Sequence, residues 1–156
     1  QGSQMSIPME WTVGFSILKR DKWVFGADYT QSDWRKSNFA ATPGIIFEPA
    51  LSRTLKAGFE FTPDRYSIRY FMRRWTYRLG AYYDQSYMML NGNQVTAMGV
   101  TFGFSVPIYR WYNSIGVSVD AGQRGSFENN LIRERYIMLI LNFNLHDIWF
   151  IKHRYN

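Results

Sequence analysis

Seven ionisable side chains sit in a pattern that could do chemistry. Glu10, Asp28, Lys56, Glu60, Arg78, Asp84 and Asp120 each fall in a stretch where apolar residues take every second position, and each belongs to the other, polar set. Placed together on one side of a sheet, they could line a polar pathway, and Lys56 with Arg78 could clamp a ligand carboxylate. The competing reading is a network of salt bridges and hydrogen bonds between neighbouring strands, because charge withdrawn from water must be paired. The network is the favoured reading. Lys56 and Glu60 share a strand face, and Arg78 lies within reach on the next strand.

Catalysis finds little support. The two histidines, His146 and His153, are seven positions apart near the C-terminal end, a spacing that does not converge on a metal. They read as surface residues at a membrane edge. A hydrolase would need a serine beside a histidine held by a third polar group, and no serine is placed opposite His146. Cysteine is absent (Cys 0), which excludes disulfides and thiolate metal sites. Gly14, Gly26, Gly58, Gly80, Gly99, Gly103, Gly116 and Gly122 recur in the polar sets, but none precedes a helix, so none forms a phosphate loop. Inward glycine instead makes room, or lets an aromatic ring lie across it. The expectation is a protein without catalytic residues, cofactor or metal.

The elements that position these residues are strands. From Gln94 to Leu145 three runs alternate: Met98, Val100, Phe102, Phe104 and Val106; Ile115, Val117, Val119 and Ala121; Ile137, Leu139, Leu141, Phe143 and Leu145. Their alternate residues are mostly Gly, Ser, Thr, Asn and Asp. Strict alternation argues for strands with one apolar and one polar face. Four earlier runs follow the same rule, around residues 9–19, 23–30, 55–62 and 75–83. Small polar residues cannot fill a dry core, whereas an apolar outer face with a polar interior is the pattern of a transmembrane barrel.

Composition agrees. The chain has 156 residues, is 46% hydrophobic, and yet has a mean hydropathy of −0.31 with no long apolar run. A membrane helix needs roughly 20 such residues in a row. Aromatic residues make up 19%, an excess that girdles at two membrane interfaces account for. Trp11, Trp23, Trp75, Tyr77 and Tyr83 are the candidates for those girdles. Tyr70, Phe71, Trp75, Tyr87, Met88 and Met89 cluster near strand ends, where a girdle is favoured over a hydrophobic access site. The net charge is +6 with a pI of about 9.7. The basic residues are scattered over turns and polar faces, which favours lipid headgroups or lipopolysaccharide over nucleic acid.

One all-β domain over 1–156 is expected, an antiparallel transmembrane β-barrel of the outer-membrane type. Residues 1–7 form a flexible N-terminal segment and 148–156 a periplasmic C-terminal tail. Short connections follow the first and fifth strands and longer ones the second, fourth and sixth. About seven strands are counted, whereas bacterial single-chain barrels have even numbers. Either an eighth strand hides in the tail or near Arg65 to Phe71, or the chain is part of a larger barrel. The second is preferred.

Several segments carry a family likeness. Lys22-Trp23-Val24-Phe25-Gly26-Ala27-Asp28-Tyr29, ending in Asp33-Trp34, resembles the K-W-x-x-G-A-D-Y … W segment of FadL-like outer-membrane proteins. Leu55 to Pro63 is similar to their G-x-E-Y-x-P strand, and Tyr77 to Tyr83 to the strand after it. Leu90 to Gly103, Gly122 to Gly125 and Leu131 to Glu134 resemble the C-terminal region of the hydrocarbon-transport branch. The likeness runs in order from about Pro8 to Asn156. It implies the C-terminal half of a fourteen-stranded barrel, with the family's plug and lateral opening in the missing half.

The function expected on this basis is passive diffusion of hydrophobic small molecules, such as long-chain fatty acids or aromatic hydrocarbons, through a porin-like channel in the Gram-negative outer membrane. Partners would be membrane lipids, lipopolysaccharide, those solutes, and the missing N-terminal half or other outer-membrane complex subunits. Two alternatives stand beside it. One is a non-transporting barrel that scaffolds a secretion or surface-assembly complex. The other is a soluble ligand-binding β-barrel.

Overall fold

The computed structural model describes residues 8–35, 37, 47–90, 92–108, 113–125 and 132–145. The expected N-terminal segment, the C-terminal tail, His146 and His153 lie outside the described residues. The strands are β1 (Glu10–Lys19), β2 (Trp23–Asp33), β3 (Phe47–Pro49), β4 (Leu51–Phe61), β5 (Thr76–Leu90), β6 (Asn93–Pro107), β7 (Ser114–Arg124) and β8 (Glu134–Asn144). They form one eight-stranded antiparallel sheet in the order β1-β2-β4-β5-β6-β7-β8, with β3 pairing β5 off this path. A single 3-10 turn, Phe71–Arg74, is the helical element among the described residues.

The register keeps like with like. Ile17, Phe25, Phe59, Leu79, Phe102, Val119 and Leu139 are successive cross-strand partners, so they form one row across the sheet. The next row is Phe15, Ala27, Ala57, Ala81, Val100, Ala121 and Ile137. On the opposite face one row reads Ser16, Gly26, Gly58, Gly80, Thr101, Asp120 and Met138. Alternation within each strand has become separation across the whole sheet, because the side-chain period of two is kept in phase at each pairing along this path.

The apolar face is uncovered. Val100 is 58% exposed, Phe102 54%, Leu139 66% and Leu141 59%. A soluble barrel or sandwich would enclose these side chains; here a single layer presents them outward. Ala50 is the one buried apolar residue among those described.

Three expectations need correction. The sheet is not closed: its order starts at β1 and ends at β8 without joining them. The connection from β5 to β6 is not long. Both strands run on until Leu90 pairs with Asn93, and Gly92 takes φ of 79°, as a tight hairpin demands. Alternation weakens beyond Tyr83, so the sequence pattern understates how far these strands continue. No strand lies near Arg65 to Phe71 either; the segment is turns leading into the 3-10 turn, with the Asp64 amide donating to the Arg73 carbonyl at 2.8 Å. The extra strand is β3 instead, inside the longer connection that follows the second sequence-read strand. It continues the line of β4 past Ala50, whose amide donates to the Tyr87 carbonyl at 2.8 Å.

Small residues on the polar face set how closely neighbouring groups approach. A Cβ added at Gly103 would meet the Ser118 Cβ at 2.7 Å and the Val117 carbonyl at 3.1 Å, whereas at Gly58 the nearest atom would be the Leu79 carbonyl at 3.9 Å. Gly103→Ala should therefore destabilise by about 1–3 kcal/mol through overpacking. Gly58→Ala should be neutral or stabilising by about 0.5 kcal/mol, through a less flexible unfolded chain. Urea unfolding in detergent micelles, followed by circular dichroism, checks both signs.

Candidate functional site

The polar face brings most of the candidate charges into contacts between strands. Arg78 on β5 donates to Glu60 on β4 at 2.7 Å, and also to the Ser105 hydroxyl on β6. Glu60 and Arg78 are direct register partners, so the ion pair lies straight across one strand pairing. The Thr54 hydroxyl donates to Asp84 at 2.5 Å. Asp28 faces Lys56 in the register, but no ion pair joins them among the described residues. Thr12 with Thr30 and Thr62 with Thr76 add hydroxyl pairs at 2.9 Å each.

Asp120 takes part in a longer bridge. The Tyr82 hydroxyl on β5 donates to Asp120 on β7 at 3.2 Å and meets the Tyr136 hydroxyl on β8. Tyr82, Gly99, Gly122 and Tyr136 occupy one row across four strands. The two rings can meet because both positions between them are glycine. A Cβ at Gly122 would lie 2.6 Å from the Tyr136 hydroxyl and 2.7 Å from that of Tyr82. Inward glycine and tyrosine are both visible in the sequence, but only the register puts the glycines between the tyrosines.

Lys56 and Arg78 do not face each other in the register. The partner of Lys56 is Tyr82, while Arg78 sits opposite Glu60, four residues further along each strand. That is about 13 Å at roughly 3.3 Å per residue. Arg78 is moreover held by Glu60 and Ser105. The network reading accounts for Glu60, Arg78, Asp84 and Asp120; Asp28 and Lys56 join it only as register neighbours. A groove of about 890 Å³ includes Tyr82, Gly99, Gly122 and Tyr136 as well as Tyr83, Met98, Val100 and Ile137. These belong to both faces of one sheet layer, so it is a shallow open depression. No cluster of three metal-ligating side chains occurs among the described residues.

The girdle candidates lie at two levels. Trp23 and Tyr77 share a row with Phe61 and Phe104, and the Trp75 ring stacks on Phe104 with centroids 5.2 Å apart. Tyr83 lies in the row of Tyr29, and Trp11 packs against Tyr29 at 5.4 Å. Tyr77 and Tyr83 are six residues apart on β5, about 20 Å at roughly 3.3 Å per residue. The two apolar rows described above run between these levels. Beyond the Trp23 level, Phe71 and Tyr70 carry Arg74 and Arg73 over their rings at 4.8 and 4.7 Å.

The family model described as BamG matches residues 1–156. No curated protein and no solved structure matches the chain. The match is to a family distinct from the FadL-like proteins, so that resemblance is corrected, and with it the expectation of a fatty-acid or hydrocarbon transporter and a porin-like channel. The reason is physical. Segments such as Lys22 to Tyr29 and Leu55 to Pro63 encode an apolar row, a small polar row and an aromatic end. Any sheet with these two faces can carry the same kind of alternation, whatever its task.

The Tyr82–Tyr136 bridge has a measurable coupling. In a cycle of Tyr82→Phe, Tyr136→Phe and the double variant, the coupling energy should be about 1 kcal/mol. Glu60 and Arg78 are 40% and 50% exposed at their side chains, so a Glu60→Gln, Arg78→Gln cycle should give less than about 1 kcal/mol and fall with added salt. Unfolding in micelles at two salt concentrations separates the two outcomes.

Proposed function

The chain belongs to the BamG family, and from that premise we propose that it works in the assembly of outer-membrane proteins as a membrane-embedded scaffold subunit. The family name points to assembly, and the match over all 156 residues carries the reading. The sheet fits it. Its uncovered apolar face is suited to lipid, and Trp and Tyr side chains about 20 Å apart along the strand lie toward the two ends of the apolar band, where such residues are favoured. Trp11, Trp23, Trp75, Tyr77 and Tyr83 anchor the sheet at those levels in this reading. Asp28, Lys56, Glu60, Arg78, Asp84 and Asp120 face water on the inner side and hold strands together rather than bind a solute. The subunit performs no catalysis and carries no cofactor.

The sheet is then one wall of a barrel. Lys19, Arg20 and Lys22 in the β1–β2 turn, with Arg65, Arg69, Arg73 and Arg74 in the β4–β5 connection, gather at one end of it. Their charge suits anionic headgroups at that interface. Scaffolding asks only that the wall be rigid and correctly oriented, which the cross-strand contacts supply.

Depletion of the protein in its own cells tests the assembly role. Folded outer-membrane barrels, read by their heat-dependent gel mobility, should fall relative to their unfolded forms. Unchanged levels of folded barrels after depletion would overturn the reading.

A further inference from the structure

The two edges of the sheet run in the same direction. Each of the six pairings along the path β1-β2-β4-β5-β6-β7-β8 is antiparallel. Direction reverses at every step, so after six reversals β8 points the way β1 does. β3 does not alter this, since it pairs β5 beyond the end of β4 and occupies neither edge. Joining β1 to β8 directly would therefore make a parallel pair inside an otherwise antiparallel sheet.

Nor does a second copy solve the problem. Two copies related by rotation about the membrane normal keep their directions and would pair β8 with β1 in parallel. Two copies related by an axis in the membrane plane would pair β1 with β1 and β8 with β8 antiparallel, but one copy would be inverted. Its basic end, with Lys19, Arg20, Lys22 and Arg65, would then face the opposite side of the membrane. An asymmetric outer membrane gives the chain one orientation.

Among the described residues the edges are also undefended. Free edge strands of soluble sheets are blunted by proline, bulges, short length or charges along the strand. β1 is ten residues and β8 eleven; both pair their neighbours without a register break and contain no proline, and their charges lie at the ends: Glu10, Lys19, Glu134 and Arg135. In lipid, unpaired backbone groups on such edges find no water. The inner face changes character there too. On β4 to β7 most of its register positions hold Gly, Ser, Thr, Ala, Tyr and charged residues, whereas toward the edges it carries Leu18 on β1 beside Val24 on β2, and Met138 and Ile140 on β8, all of them exposed.

We propose that β1 and β8 are both pairing edges for a β-segment of different sequence, one with an odd number of strands whose outer two run opposite to β1 and β8. This rests on the membrane-embedded reading above. The completed sheet then has an even number of strands, as bacterial barrels do, and every pairing is antiparallel. The partner's edges carry apolar side chains beside Leu18 at one seam and beside Met138 and Ile140 at the other, where cross-strand neighbours pack.

Because the chain has no cysteine, single-cysteine variants report cleanly. Thr12→Cys on β1 and Met138→Cys on β8 would each be labelled with benzophenone maleimide in outer membranes of the native cells, illuminated, and mapped by mass spectrometry. The proposal expects both variants to join to peptides outside residues 1–156 that belong to one strand-patterned segment, near its two opposite edges. Joining of β8 to β8 of a second copy would overturn it. So would adducts lying wholly within one molecule's residues 1–156, or adducts to lipid alone. Absence of the protein from the outer-membrane fraction would instead overturn the membrane reading, so the two failures are distinguishable.

Discussion

A slip of one residue in any strand pairing would turn a row of Phe, Leu and Val onto the polar side and a row of Gly and Ser onto the apolar one. The structure depends on that register being kept from β1 to β8. Nothing like an ordinary core enforces it, since the described residues bury little apolar surface against each other. What enforces it is pairing itself. Small residues on the polar face leave room for specific partners, and Gly99 and Gly122 admit the two tyrosines that tie β5 to β8. Arg78 with Glu60, and Thr54 with Asp84, fix the phase of β4 against β5 from the same side.

The two faces thus do different work. The polar face is where identity is written, because hydrogen bonds demand particular partners at particular positions. The apolar face is tolerant. In the membrane-embedded reading proposed above, Leu79, Phe102 and Val119 need only be greasy, since a liquid hydrocarbon makes no jigsaw demands of the kind a packed interior does. This difference explains why outward residues carry so little information about task. It also explains why a likeness built on strand patterns led toward a transport family, when the match over the full chain is to BamG.

An open sheet with parallel-running edges is a consequence of odd count, and it connects fold to function. A closed sheet has no backbone groups left to offer. One that ends in two long, unblunted strands offers a row of donors and acceptors on each side, and in the assembly role proposed above those are the points of contact. The hairpin of β5 and β6 is a second departure from a minimal wall: it runs on past the apolar rows to Leu90 and Asn93, beside β3.

By itself the sequence determined seven of the eight strands, their two faces, the lack of an apolar run long enough for a membrane helix and which charges belong to the polar side. These follow from local rules, since alternation and glycine placement act over a few residues. How far β5 and β6 ran was hidden because alternation fades past Tyr83 while backbone pairing continues. Only the tertiary structure decided which polar residues meet. Tyr82 and Tyr136 are far apart in the chain, and Lys56 and Arg78 part company, because contact depends on register between strands, which no single strand encodes. The open edges belong to the same class: whether β1 finds β8 is a property of how many reversals lie between them, and of the whole sheet's path.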